Sequence, residues 1–235
     1  MINIDKVKEY LTEPNKERCS FMKEVEYLYR YRPLKENANR ELEILKNKSI
    51  YCSSFNNLND DEEGIIIMEL LSKFPSKIKS DVRKKLKDFR KKYGVTCFST
   101  VNPEEDCAEY MWDNYAGAGK GICIQYNISE LIEKKFYVLP VIYVDRINYN
   151  DFIKGEEFIA ELSYVMKHRR GEDKNKTKKN WQRECEWRHI EEINEEQGNY
   201  SKKHIEPEKV FLGKDLEKGL KEKIKSITDK KIIQL

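Results

Sequence analysis

The chain has no CxxC pair, only three histidines and no long apolar run, and each shortage argues against a class of function. His168, His189 and His204 stand at no metal-ligand spacing from another His or a Cys, so a metal centre has little to build on. No apolar stretch, that around Ile65 to Ile67 included, approaches the ~18 residues that a membrane-spanning helix needs, and a soluble protein with no membrane partner is expected. Net charge is scarce too. Lys+Arg 45 against Asp+Glu 42 leaves +3, although 37% of residues are charged against roughly 25% in an average globular chain. That balance argues against a nucleic-acid binder held by a net basic field, while leaving room for a local patch.

Six cysteines are present, Cys19, Cys52, Cys97, Cys107, Cys123 and Cys185, and no apolar leader precedes them. A reduced, cytoplasmic protein is expected. Cys52, Cys97, Cys123 and Cys185 sit in apolar or aromatic strand-like runs, where a free thiol acts as a small buried hydrophobe.

A length of 235 residues suits one domain with a substantial core. Apolar spacing predicts a helical segment over 1–28, broken at Pro14, and a helical insertion over 64–93 whose second helix, about Lys77 to Lys92, has a lysine-rich face. Period-2 alternation in YLYRYRP (Tyr27 to Pro33) predicts a strand with Arg30 and Arg32 on one face. A helix from Asn37 to Asn47 and a strand over SIYCSS (Ser49 to Ser54) follow, and then FNNLNDDEEG, a polar loop without EF-hand spacing. GVTCFS (Gly94 to Ser99) reads as a buried strand, and a helix runs from Asn102-Pro103 towards Tyr115.

Gly117, Gly119 and Gly121 precede an apolar strand, Gly121 to Tyr126, and Lys120 is followed by glycine rather than Ser or Thr, so this is a tight turn and not a Walker loop. Phe136 to Tyr143 predicts a strand with an edge or bulge at Pro140, Asp151 to Arg170 a helix, and GEDKNKTKKN a mobile loop. Lys209 to Gly213, Asp215 to Ile227 and Ile232 to Leu235 read as strand, helix and strand. The irregular alternation favours α+β, with a mixed, mostly antiparallel sheet core and peripheral helices.

WQRECEWRHI (Trp181 to Ile190) is the stretch with most chemistry in it. On a strand, Glu184 and Glu186 share a side with Arg188 while Cys185, Trp187 and His189 take the other, so two carboxylates are free to act on one ligand. The structural alternative is a solvated amphipathic strand with weak salt bridges.

Taken in order, LYRYRPL (28–34), IYCSSFNNLND (50–60), VTCFS (95–99), MWDNYAGAGKGICIQY (111–126), ECEWR (184–188) and KVFLG (209–213) resemble the bacterial domain-of-unknown-function 2971 family. Two departures from its pattern stand at Asp61, where proline is usual, and at Gly119, where histidine is common. Within these landmarks, Arg32 or Arg30, Ser53 with Ser54, and Glu184 with Glu186 look like the Arg, Ser-x-Ser and Glu-x-Glu signature of ADP-ribosyltransferases, with the serines adjacent rather than one apart.

That likeness implies a transferase or glycohydrolase consuming NAD, of the kind found among toxins and anti-phage defence effectors, with a nucleic acid or protein as acceptor. Glu186 would stabilise the oxocarbenium-like ribose and hold a hydroxyl, and Glu184 would orient or deprotonate the acceptor. Arg32 would clamp the pyrophosphate, Ser53 or Ser54 would position the ribose or the second glutamate, and Tyr115 or Trp112 would stack on nicotinamide. Two other readings remain open. One is a non-catalytic nucleic-acid or partner-binding module using Arg30, Arg32 and the basic helix. The other is a metal-dependent nuclease using Asp60, Asp61, Glu184 and Glu186.

Overall fold

Alternating side chains organise the first strand, and the rest of the sheet grows from it. In the computed structural model, which describes residues 25–34, 38–55, 76–136, 138–144, 153–154, 157–158, 166–168, 170–172, 178–194, 198–201 and 203–235, β1 is Tyr27–Pro33. Its Tyr29 and Tyr31 enter one apolar cluster and its Leu28 the other. β2 is Tyr51–Ser54, β3 Tyr93–Ser99, β4 Gly121–Asn127 and β5 Val138–Pro140. β6 is Ile142–Val144, β7 Ile153–Lys154, β8 Glu157–Phe158, β9 Met166–His168, β10 Arg170–Glu172 and β11 Lys178–Asn180. β12 is Glu186–Glu192, β13 Gly198–Tyr200, β14 Lys209–Leu212 and β15 Lys231–Gln234. The helices are α1 (Ala38–Asn47), α2 (Ser76–Lys92), α3 (Glu109–Tyr115), α4 (Ile128–Glu133) and α5 (Lys218–Ile227).

The main sheet runs β13-β2-β3-β1-β4-β14-β15, with β12 on β3 and β5 on β12. All pairings in it are antiparallel except β14 with β15. The fold is therefore α+β on a mixed, mostly antiparallel sheet. β4 (GICIQYN) is buried along its whole length but for Asn127, as a strand between two partners and under helices on both faces must be. Asn127 ends it and caps α4, its side chain accepting from the N–H groups of Ser129 and Glu130.

One face of the sheet carries the larger core, where α1 contributes Leu42, Ile44 and Leu45, α4 contributes Ile128 and Leu131, and α5 contributes Ile224. The other face carries a smaller cluster of Tyr29, Tyr31, Val101, Met111, Cys123 and Phe211, covered by α3. β3 is the branch point. Ser99 pairs with both Tyr29 and Glu186, and Val95 with both Ser53 and Ile190, so β12 lies along one edge of β3 while β1 and β2 share the other.

Three expectations are corrected. Apolar spacing over 151–170 predicts a helix, yet the described residues there form β7 paired with β8, and β9 lying parallel to β6. Short apolar runs do not separate helix from strand by period, and pairing partners elsewhere in the chain decide. The polar run GEDKNKTKKN is not wholly loop, because its ends belong to the hairpin of β10 and β11. Tyr27 and Leu28, predicted at the end of a helical segment, open β1; residues 1–24 and 56–75, with the first helix of the predicted insertion and the acidic loop, lie outside the described residues. Among the described residues no helix is long and apolar enough to cross a membrane.

The turn before β4 depends on glycine. Gly117 and Gly119 lie at φ 61° and 82°, and Gly121 sits so close to β1 that an added Cβ would come within 2.2 Å of the Arg32 carbonyl oxygen. Gly121→Ala is expected to lower unfolding free energy by about 1–3 kcal/mol, measured by urea denaturation, because the contact is with backbone that has nowhere to move.

Candidate active site

Trp181 to Ile190 does not form one strand. Trp181–Glu184 is a 3-10 turn, Cys185 takes a left-handed conformation (φ 44°, ψ 50°), and β12 begins only at Glu186. The end of β3 holds this turn in place. Ser99 Oγ donates to the Glu184 carbonyl at 2.5 Å and accepts from the Val101 N–H at 3.0 Å, while the Thr100 N–H donates to the Cys185 carbonyl at 3.2 Å. The two carboxylates converge through this kink rather than through strand alternation.

They converge on a cation. Lys167 Nζ, from β9, donates to Glu184 Oε2 at 3.2 Å and lies 3.5 Å from Glu186 Oε2, with the Trp181 ring centroid 4.2 Å away. Arg188 grips Glu186 with two bonds, Nε to Oε1 at 2.8 Å and Nη2 to Oε2 at 3.0 Å. The Tyr115 hydroxyl, from α3, donates to Glu184 Oε1, and the Glu186 N–H donates to the Tyr143 oxygen at 3.1 Å. Glu184, Glu186, Lys167 and Arg188 are all buried, so this is an interior cluster of two carboxylates and two cations and not a solvated strand face. The Trp181 indole N–H, also buried, has no hydrogen-bond partner among the described residues.

Burial separates the two acids. Loss of water raises the Glu184 carboxyl to about 7, with Lys167 working against the shift and Glu186 adding to it. Burial alone would raise Glu186 as well, but Arg188 and Lys167 overcome it and hold that carboxyl at about 2. Near neutral pH one glutamate exchanges a proton readily while its neighbour stays ionised.

The predicted partners are distributed unevenly. Tyr115 touches Glu184; Trp112, in the same helix, packs edge-on against Tyr31 (centroids 5.4 Å) and donates its N–H to the Pro103 carbonyl. Arg30 and Arg32 are not part of the cluster. Tyr29, Ser99 and Glu186 stand in one cross-strand row, so alternation puts Arg30 and Arg32 on the opposite face of the sheet. There Arg30 Nη2 bonds to the Tyr51 carbonyl, and Arg32 Nε bonds at 2.9 Å to Glu41, a fully buried carboxylate that Arg40 also contacts.

Ser53 and Ser54, on β2, meet Val95 and Gly94 of β3, at least four residues along the strand from Ser99, or about 13 Å. The one-cleft arrangement of arginine, serine and glutamate is thus replaced by a cluster of Glu184, Glu186, Lys167, Arg188 and Tyr115. Asp60 and Asp61 lie outside the described residues. Arg188 was legible as the i+2 neighbour of Glu186, whereas Lys167 sits in a stretch that reads as helix and gave no signal.

The model of the family described as Protein of unknown function (DUF2971) matches residues 111–189. This match supports the resemblance seen in the sequence. The matched window holds Trp112, Tyr115, Lys167, Glu184, Glu186 and Arg188, and stops short of Arg30, Arg32, Ser53 and Ser54. No curated protein and no solved structure matches the chain.

The two acids act oppositely on stability. Glu184, raised from 4.5 in the fold, contributes stability that is complete below 4.5 and is lost as pH rises through about 7. Glu186, lowered from 4.5, contributes stability that is complete above 4.5 and is lost as pH falls through about 2. Lys167→Met leaves the carboxylates with one cation fewer. It is expected to cost about 3–5 kcal/mol at pH 8, where both acids would be ionised, and clearly less at pH 5, where Glu184 is protonated, as read from urea melts at the two pH values.

Proposed function

We propose that this chain cleaves the nicotinamide–ribose bond of NAD and passes the ADP-ribosyl group to water or to an acceptor on a nucleic acid or protein. The observation that carries the reading is the pair of adjacent buried glutamates on one shared lysine, one raised to about 7 and so able to exchange a proton near neutral pH, the other held ionised. Acid–base enzymes use such pairs, one member moving a proton and the other carrying fixed charge.

In the proposed reaction the C–N bond breaks, its electron pair leaves with neutral nicotinamide, and the ribose becomes oxocarbenium-like. The ionised Glu186, fixed in place by Arg188, faces that positive charge and a ribose hydroxyl. A water or acceptor hydroxyl then attacks the anomeric carbon and gives its proton to Glu184. Lys167 couples the two acids, since it contacts both, and the Tyr115 hydroxyl fixes the orientation of Glu184.

Partly exposed aromatic rings are at hand for a planar base: Tyr115 and Tyr110, over whose ring the Arg183 guanidinium lies at 4.6 Å. Arg183, exposed in the 3-10 turn, replaces Arg32 in this reading as the cation for the pyrophosphate. A metal-dependent nuclease is less well supported, because the Lys167 ammonium occupies the place between the two carboxylates where a bridging cation would stand.

Glu184→Gln keeps the shape of the protonated acid and removes the base. Nicotinamide release from NAD is expected to fall at least about 100-fold in this variant with an unchanged circular dichroism spectrum, and the wild-type rate is expected to rise with pH through about 7. A folded wild type that leaves NAD intact, or equal rates in the two proteins, would overturn the assignment.

A further inference from the structure

The strand that presents Glu186 and Arg188 on one face presents His189 and Glu191 on the other. His189 pairs across the ladder with Thr96, and Thr96 Oγ1 lies 3.3 Å from Cys52 Sγ, so three donors of different chemistry meet beneath the sheet. His189 Nε2 is 3.3 Å from Glu191 Oε2, Cys52 Sγ is 3.8 Å from the same oxygen, and the three donor atoms all lie within 4.8 Å of one another. Around a tetrahedral zinc ion, with bonds of about 2.0–2.3 Å, neighbouring ligand atoms stand about 3.3–3.8 Å apart. The constellation already has almost that spacing.

We propose that Cys52, His189 and Glu191 bind a single zinc ion, with one position left for water or a small exogenous ligand. Thiolate, imidazole and carboxylate together suit zinc better than the harder magnesium or calcium, which take oxygen donors. Cys52 and His189 are each 1% exposed, while Glu191 is partly exposed and offers the ion and its fourth ligand a way in. Lys203 Nζ holds the other carboxylate oxygen of Glu191 at 3.3 Å, which orients the ligand without occupying Oε2.

Burial keeps the thiol protonated in the absence of a cation, pushed up to about 12, and binding would exchange that proton for the ion. The site was not visible from residue spacing because Cys52 and His189 stand on separate strands, and it is independent of the glutamate pair on the opposite face.

The test uses the full chain carrying Cys19→Ser, Cys107→Ser and Cys185→Ser, loaded with zinc and passed through gel filtration; Cys107 and Cys185 are the exposed thiols among the described residues. About one zinc per chain is expected, with an upward shift in melting temperature and at least about tenfold weaker zinc binding after Cys52→Ser or His189→Ala. Cobalt in place of zinc should give a thiolate-to-metal absorption band that Cys52→Ser abolishes. Absence of retained zinc, or of the band in the parent chain, would overturn the proposal even if a ligand variant fails to fold. So would equal zinc binding by folded ligand variants.

Discussion

Antiparallel pairing of β12 with β3 is the constraint on which the chemistry of this molecule depends. Its register sets Glu186 opposite Ser99, Arg188 opposite Cys97, His189 opposite Thr96 and Glu191 opposite Gly94. Because side chains alternate with a period of two, that one alignment sends Glu186 and Arg188 to one face and His189 and Glu191 to the other. A slip of one residue would exchange the two sets and place an ionised pair in the larger apolar core.

The same strand also carries Trp187, which is buried in the larger core beside Phe98. Its aromatic bulk gives the register an energetic preference that the polar residues alone do not supply, since burying such a ring is worth several times a surface ion pair. Apolar packing on one face thereby decides which charged groups meet on the other. Phe136 extends this logic by packing its ring edge-on against His189 at 5.1 Å.

Buried charge is expensive unless it is paired, and the cluster around Lys167 answers that cost with complete pairing rather than with solvent. Each glutamate has a cation within 3.5 Å, and Glu186 has two. The left-handed Cys185 is the conformational cost of the arrangement, for a non-glycine residue there is uncommon, and the bonds from Ser99 and Thr100 hold the turn in that shape. Opposite it, Glu41 draws Arg32 and Arg40 into a separate ionic group under the larger core, where these arginines serve the packing of α1 on β1.

Local pattern in the sequence determined a good part of the architecture. The alternation in YLYRYRP, the apolar runs of β3, β4 and β14 and the period of α1, α2 and α5 are properties of neighbouring residues, and they survive in the fold because nothing distant opposes them. Glu184 and Glu186 were legible as a pair by their spacing, although the kink at Cys185 and not strand alternation brings their carboxylates together. Only the tertiary structure decided what surrounds them: Lys167 arrives on a strand paired with β6 from a stretch whose composition favours helix, and the arginines of β1 fall on the wrong face for the glutamates by the parity of one cross-strand row. Parity and pairing partner are relations between strands far apart in the chain, and no local periodicity encodes them.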